Sequence, residues 1–221
     1  GAGGGGRVAW FDDAQGQFAS RGFASIGFST YDAAVGETRP ACGDLDGDGR
    51  TEVVVGLAPF PQNGGLVAIL SLDVADRWRA RWARVPWQAY DARNGETWPA
   101  CGDVEFDGRD EVVLGLGANP GQGGWAVVLD DAAANLRPMR WVAIPWPAYR
   151  AAGGPVHPAL GDMDGDRRAE FALGTGPFPG KGGCVAILND ADHSFALRGW
   201  ARLHWPAYNA ANGETWPAFT R

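Results

Sequence analysis

The 221-residue chain has one lysine, Lys181, beside 18 arginines, and only three cysteines, three histidines and two methionines. Each scarcity excludes something. Acids outnumber bases for a formal net charge of -7, a surplus that repels a phosphate backbone, so nucleic acid is not an expected partner. No apolar run approaches the roughly 20 residues a membrane-spanning helix needs, so no membrane span is expected. No secretory leader pattern opens the chain, and its first residues, GAGGGG, read as a loop cut open. Three cysteines permit at most one disulfide. Cys42 and Cys101 hold equivalent places in the sequence, which sets them on neighbouring, similar strands beyond the roughly 7 Å that a bridge spans between Cα atoms. Cys184 lies in the strand-like GGCVAIL, and all three are expected as small core residues. His157, His193 and His204 show no zinc spacing and no nucleophile arrangement, and the Gly-rich GLGANPGQGG joins two strands without opening a helix. No catalytic residue is singled out, and an enzyme is not expected.

What the chain has in abundance is glycine, 34 residues, and tryptophan, 11 residues, within a 45% apolar composition. Such a balance favours turns and strands in a folded domain. The aromatics and prolines also keep time. Pro40, Pro99, Pro158 and Pro217 stand 59 residues apart, and so do Tyr31, Tyr90, Tyr149 and Tyr208, the only tyrosines present. Trp87, Trp146 and Trp205 follow the same beat with Phe28 before them, as do Trp82, Trp141 and Trp200 with Phe23. A fixed period of this length is one supersecondary unit copied several times.

Within a unit, PACGDL leads into an acidic loop, TEVVVGL follows, a Gly-Gly turn at Gly64 and Gly65 starts LVAILSL, and RWRARWARVPW alternates. Arg81, Ala83, Val85 and Trp87 fall on one face of this last segment, Trp82 and Arg84 on the other. The connection QAYDARNGETWP reads as a turn centred on Asn-Gly, with no helical segment. Four strands per repeat predict an all-β fold, a β-propeller built from 59-residue blades with about three and a half to four blades present. The units expected are a partial blade of two strands over 1–40, blades over 41–99, 100–158 and 159–217, and the start of a further blade over 218–221. One copy lacks the equivalent of Leu45 to Pro59, its loop and second strand. Two explanations stand open: the chain is an excerpt from a longer array, or another chain supplies the strand, which would make a homo-oligomer through the incomplete blade.

ACGDLDGDGRTEVVVGLAPFPQNGGLVAIL, from Ala41 onward, resembles the FG-GAP or VCBS repeat of integrin α-subunit propellers and bacterial surface proteins. Gly56, Leu57, Ala58 and Pro59 keep the GAP part loosely, while GETWPA replaces the FG part. The resemblance implies a propeller with calcium in the acidic loops, an extracellular or cell-surface location, and a protein or glycan ligand.

The loops bear this chemistry on their own residues. Calcium takes six to eight oxygens, which a short loop supplies from alternate positions. In the first copy these are Asp44, Asp46, Asp48, the carbonyl of Arg50, and Glu52, with Gly49 at the sharp turn. The second offers Asp103, Glu105, Asp107, Arg109 and Glu111 around Gly108; the third offers Asp162, Asp164, Asp166, Arg168 and Glu170, with Arg167 in the glycine place. The longer Glu105 and the strained Arg167 predict an affinity order of first, second, third. Plain acidic turns explain the glycines as well, but not the convergence of like charges in every copy.

Two readings also meet at the aromatic junctions. Trp87, Trp146 and Trp205 wedge one blade on the next, with each tyrosine hydroxyl on a backbone partner, or the junctions bind sugars. Trp98 and Trp216, replaced by His157 and Arg39 in the other copies, together with Tyr90 and Tyr208, are the candidate ligand-binding residues. The function expected is calcium-stabilised adhesion or recognition without catalysis, with a structural subunit of an extracellular assembly and a multivalent lectin as alternatives.

Overall fold

The computed structural model describes residues 5–11, 13, 15–61, 63–73, 77–131, 133, 135–178 and 180–219. A two-stranded antiparallel sheet pairs β1 (Arg7–Phe11) with β2 (Ser20–Ser25), and the helix α1 (Ser29–Ala34) leads from it. Three four-stranded antiparallel sheets follow in sequence order. The first joins β3 (Thr38–Gly43), β4 (Glu52–Leu57), β5 (Leu66–Leu72) and β6 (Trp78–Arg84). After α2 (Gln88–Arg93), the second joins β7 (Thr97–Gly102), β8 (Glu111–Leu116), β9 (Trp125–Leu129) and β10 (Pro138–Ala143). After α3 (Pro147–Ala151), the third joins β11 (Val156–Gly161), β12 (Glu170–Thr175), β13 (Cys184–Leu188) and β14 (Leu197–Arg202), and α4 (Pro206–Ala211) comes next. The protein is therefore all-β in its sheets, with four strands per complete repeat. Among the described residues, no helix is long and apolar enough to cross a membrane.

The helices correct the expectation of purely turn-like junctions. Each is one short turn-and-a-half, ended by a glycine in the left-handed region: Gly95 has φ 66° and its N–H, like that of Asn94, returns to the Tyr90 carbonyl. Asn-Gly is thus the C-terminal stop of a helix rather than the centre of a turn. The same glycine meets the Gly-Gly turn of the sheet before it. A Cβ on Gly95 would lie 2.2 Å from the Gly64 Cα, and the Gly65 N–H donates to the Gly95 carbonyl at 2.7 Å. Only glycine on both sides lets the two backbones pass this closely.

The unit boundaries also move. The first strands begin at Thr38, Thr97 and Val156, so the divisions placed after Pro40, Pro99 and Pro158 fall inside β3, β7 and β11. These strands hydrogen-bond on one side only, and a proline is tolerated on the free edge. Thr220 and Arg221, in the segment expected to start a further blade, lie outside the described residues.

Apolar side chains of successive units interlock into continuous cores. Val54, Val67, Ile69 and Val85 of the first complete unit pack with Leu114, Val127 and Leu129 of the second, and Val113, Val128 and Val142 pack with Phe171 and Leu173 of the third. The predicted alternation of Arg81, Ala83, Val85 and Trp87 is observed, for these four are buried or half-buried while Trp82 and Arg84 are exposed. The first strands contact one another, and their equivalent residues surround two cavities. Arg39, Trp98, His157 and Trp216, with the four prolines that follow them, line one of about 300 Å³; Cys42, Cys101, Leu160 and Phe219 line part of another of about 520 Å³. The three cysteines are free thiols, and Cys42, expected in the core, is exposed.

Candidate functional site

Each acidic loop is folded by its own first carboxylate. Asp44 accepts the N–H groups of Gly47 and Gly49, both at 2.9 Å; Asp103 accepts those of Phe106, Asp107 and Gly108; Asp162 accepts those of Gly165 and Arg167. The nested turn needs two left-handed residues per copy: Gly47 and Gly49, Phe106 and Gly108, Gly165 and Arg167. Arg167, at φ 75°, carries the strain expected of a non-glycine residue there. Phe106, at φ 60°, adds a strained place that the sequence reading passed over.

The ninth position is the buried one. Glu52, Glu111 and Glu170 are at most 4% exposed, and in each copy Oε2 accepts the amide of the loop's second residue, Leu45, Val104 or Met163. In the second and third copies the other oxygen, Oε1, is buried without a hydrogen-bond partner. Burial pushes the Glu111 carboxyl up to about 8 against the pull of the Val104 amide, with Asp103, Glu105 and Asp107 adding repulsion. Burial raises Glu170 and Glu52 in the same direction.

Acids from a second turn join these glutamates. Glu105, Glu111 and Asp130 bring carboxylate oxygens within 4.8 Å of one another, as do Asp107, Glu111 and Asp131. In the third copy, Asp162, Asp164 and Glu170 form one such group, and Asp166, Glu170 and Asp190 another. Asp130, Asp131 and Asp190 come from the turn after β9 or β13, far along the chain, and sequence reasoning missed them. Asp131 and Asp190 do share the repeat position, which is the signal that was there to find. Leu72 stands at that position in the first copy, where, among the described residues, Asp44, Asp46 and Asp48 are the acids that converge, the last two exposed. Asp103 and Glu52 belong to none of these groups. Asp190 sits below the usual carboxylate range: burial raises it, but the His193 amide and ring, both at 3.0 Å, outweigh burial. Its Oδ2 is buried without a partner.

Arginines at the seventh position join neighbouring loops. The Arg109 side chain reaches the Asp46 carbonyl and pairs with Asp131 at 3.3 Å, and Arg168 reaches the Glu105 carbonyl and pairs with Asp192 at 2.9 Å. Asp110 closes the joint by accepting the Asp44 N–H at 3.0 Å.

The candidate aromatics separate. Tyr90 is fully buried; its hydroxyl donates to the Glu96 carbonyl and accepts the Gly117 N–H at 2.7 Å, so it presents nothing to a ligand. Tyr208 is half-buried and donates to the Glu214 carbonyl at 2.7 Å. Trp98, half-buried in β7, and Trp216, exposed in the segment after α4, are neighbours, with ring centroids 4.5 Å apart. His157 stacks on Trp216 at 3.6 Å, and the Arg39 guanidinium covers Trp98 at 3.6 Å. The four equivalent positions thus gather at one place, where they line the cavity of about 300 Å³.

No family model matches the chain, and no curated protein matches it. Among solved structures, the exotype rhamnogalacturonan lyase YesX is similar over 79% of this chain and 34% of its own, at 14% identity and a TM-score of 0.49. The chain spans about a third of that enzyme's length.

Proposed function

We propose that the chain is a calcium-stabilised recognition module of an extracellular or cell-surface protein, with its sheets arranged as propeller blades. The convergence of Arg39, Trp98, His157 and Trp216 on one cavity supports the blade arrangement, since equivalent residues of units set around an axis meet there. The observation that carries the ion is that Glu111 and Glu170, each with a buried, unpartnered Oε1, each belong to two groups of converging acids. A buried carboxylate among like charges is costly until a cation joins it. An all-oxygen set with several carboxylates suits calcium, which accepts many ligands in flexible geometry, better than magnesium, which keeps its waters.

Asp130 and Asp131 complete the second cup and Asp190 the third, whereas Leu72 leaves the first poorer. We therefore rank the second and third cups above the first, reversing the order read from the loops alone. An ion in either cup ties the loop, the strand after it and the turn after the third strand into one joint, so its binding energy adds to folding.

Thermal and urea unfolding in calcium, magnesium and chelator tests this reading. Calcium at about five times its dissociation constant is expected to add about 1 kcal/mol per occupied cup, with little effect from the same concentration of magnesium. Glu111→Gln is expected to lose part of that gain. Identical unfolding in calcium and chelator would overturn the reading.

A further inference from the structure

A cavity of about 490 Å³ lies beside Trp87, lined by Gly121, Gln122, Trp125, Trp141 and Arg150. It adjoins a break in the repeat. At the junction before the first complete sheet, Phe60 packs edge-on against Phe28 at 5.7 Å and Tyr31 at 5.4 Å. Before the third sheet, Phe178 does the same against Trp146 at 4.9 Å and Tyr149 at 5.5 Å. Before the second sheet, the equivalent residue is Asn119, and Trp87 and Tyr90 have no such plug. Two more replacements change the chemistry of the space that results. Trp125 stands where the other complete units have Leu66 and Cys184, and Arg150 stands where they have Asp91 and Asn209.

We propose that this cavity binds a sugar residue bearing a carboxylate, of the hexuronic acid kind, as part of a glycan. Its volume lies within the range of small-ligand sites, about 300–1,000 Å³. The rings of Trp87 and Trp141 stand at 86° and those of Trp125 and Trp141 at 87°. Both thus stand edge-on to Trp141, and the three indoles give the cavity apolar walls on which the C–H face of a pyranose can lie. Gln122 is exposed at the rim and supplies an amide for hydroxyl groups. The charge comes from Arg150. Its guanidinium lies 4.5 Å over the Trp125 ring, its Nε is buried without a hydrogen-bond partner, and no carboxylate pairs with it among the described residues. An arginine laid on an aromatic face at the cavity wall and paired with no carboxylate among the described residues is suited to receive one. The Asn119 Oδ1, also buried and unpartnered, marks the polar substitution that removed the plug.

This inference rests on the recognition reading but not on the ions. Tryptophan fluorescence and calorimetry with D-glucuronate, D-glucose and benzoate, in calcium buffer, provide the test. Saturable binding of glucuronate is expected, at least about tenfold tighter than that of glucose, with the preference lost in Arg150→Gln. Asn119→Phe restores the residue type that both sister junctions carry, so it is expected to fold as well as the parent and to lose binding. Absence of saturable glucuronate binding, equal binding of glucose, tighter binding of benzoate, or full binding by a folded Asn119→Phe variant would each overturn the proposal. Calcium-dependent unfolding measured on the same samples reports separately on the ion sites, so a failed sugar site and a failed ion site are told apart.

Discussion

Replacing Tyr90 by phenylalanine is expected to lower the unfolding free energy by about 2–3 kcal/mol, while the same change at Tyr208 costs under about 1 kcal/mol. The contrast lies in where each hydroxyl sits. Tyr90 is fully buried, and its hydroxyl both donates to the Glu96 carbonyl and accepts the Gly117 N–H. Tyr149 repeats the arrangement with the Pro155 carbonyl and the Gly176 N–H, and Tyr31 with the Glu37 carbonyl and the Ala58 N–H. One phenol thus stitches a helix, the start of the next sheet and the loop after its second strand. Removing it leaves a donor and an acceptor buried with only a stretched 3.4 Å contact between them. Tyr208 is half-buried and, among the described residues, its hydroxyl has one hydrogen bond, to the Glu214 carbonyl. Urea unfolding of the two variants gives the comparison, and equal losses would contradict the stitching role.

A second large effect is expected with pH. His157 is 3% exposed, stacked on Trp216 and hydrogen-bonded through Nδ1 to the Thr215 carbonyl at 3.0 Å. A carbonyl only accepts, so Nδ1 carries the proton of the neutral ring. Burial lowers the ring to about 4; the Thr215 carbonyl works against this and the Arg39 charge works with it. Glu214, 3.8 Å from Nε2, is 27% exposed and water-screened, so it does not reverse the direction. Because the folded value lies below the ordinary 6.5, the unfolded chain binds the extra proton first as pH falls. The stabilising contribution is complete above about pH 6.5 and is lost as the pH falls towards about 4, a change of about 3 kcal/mol. His157→Phe keeps a ring in the stack and removes the titration. The difference between its stability and that of the parent should change across this window, and a flat difference would contradict a buried neutral ring.

The strands were legible because their pattern is local. LVAILSL is β5 from end to end, and RWRARWAR shows its two faces by alternation. The period located the loops, and their first, third, fifth and ninth residues carry the acids that the reading named. The helices were not legible by periodicity, since six residues are too few to show it. Pro147 and Pro206 at helix starts, and the Asn-Gly stop of α2 and α4, were the available signs. Asp130, Asp131 and Asp190 were missed because loop spacing is a local argument and these acids arrive through sheet pairing. Tyr90 is fully buried, and a regular tyrosine marks a joint as readily as a ligand site.

Counting bound calcium tests the central claim most directly. Calorimetric titration of the chelator-treated chain should give at least two ions, falling by one in Glu111→Gln and by one in Glu170→Gln, each variant remaining folded. The claim would be contradicted by a folded chain that binds none, or by a stoichiometry unchanged in both variants.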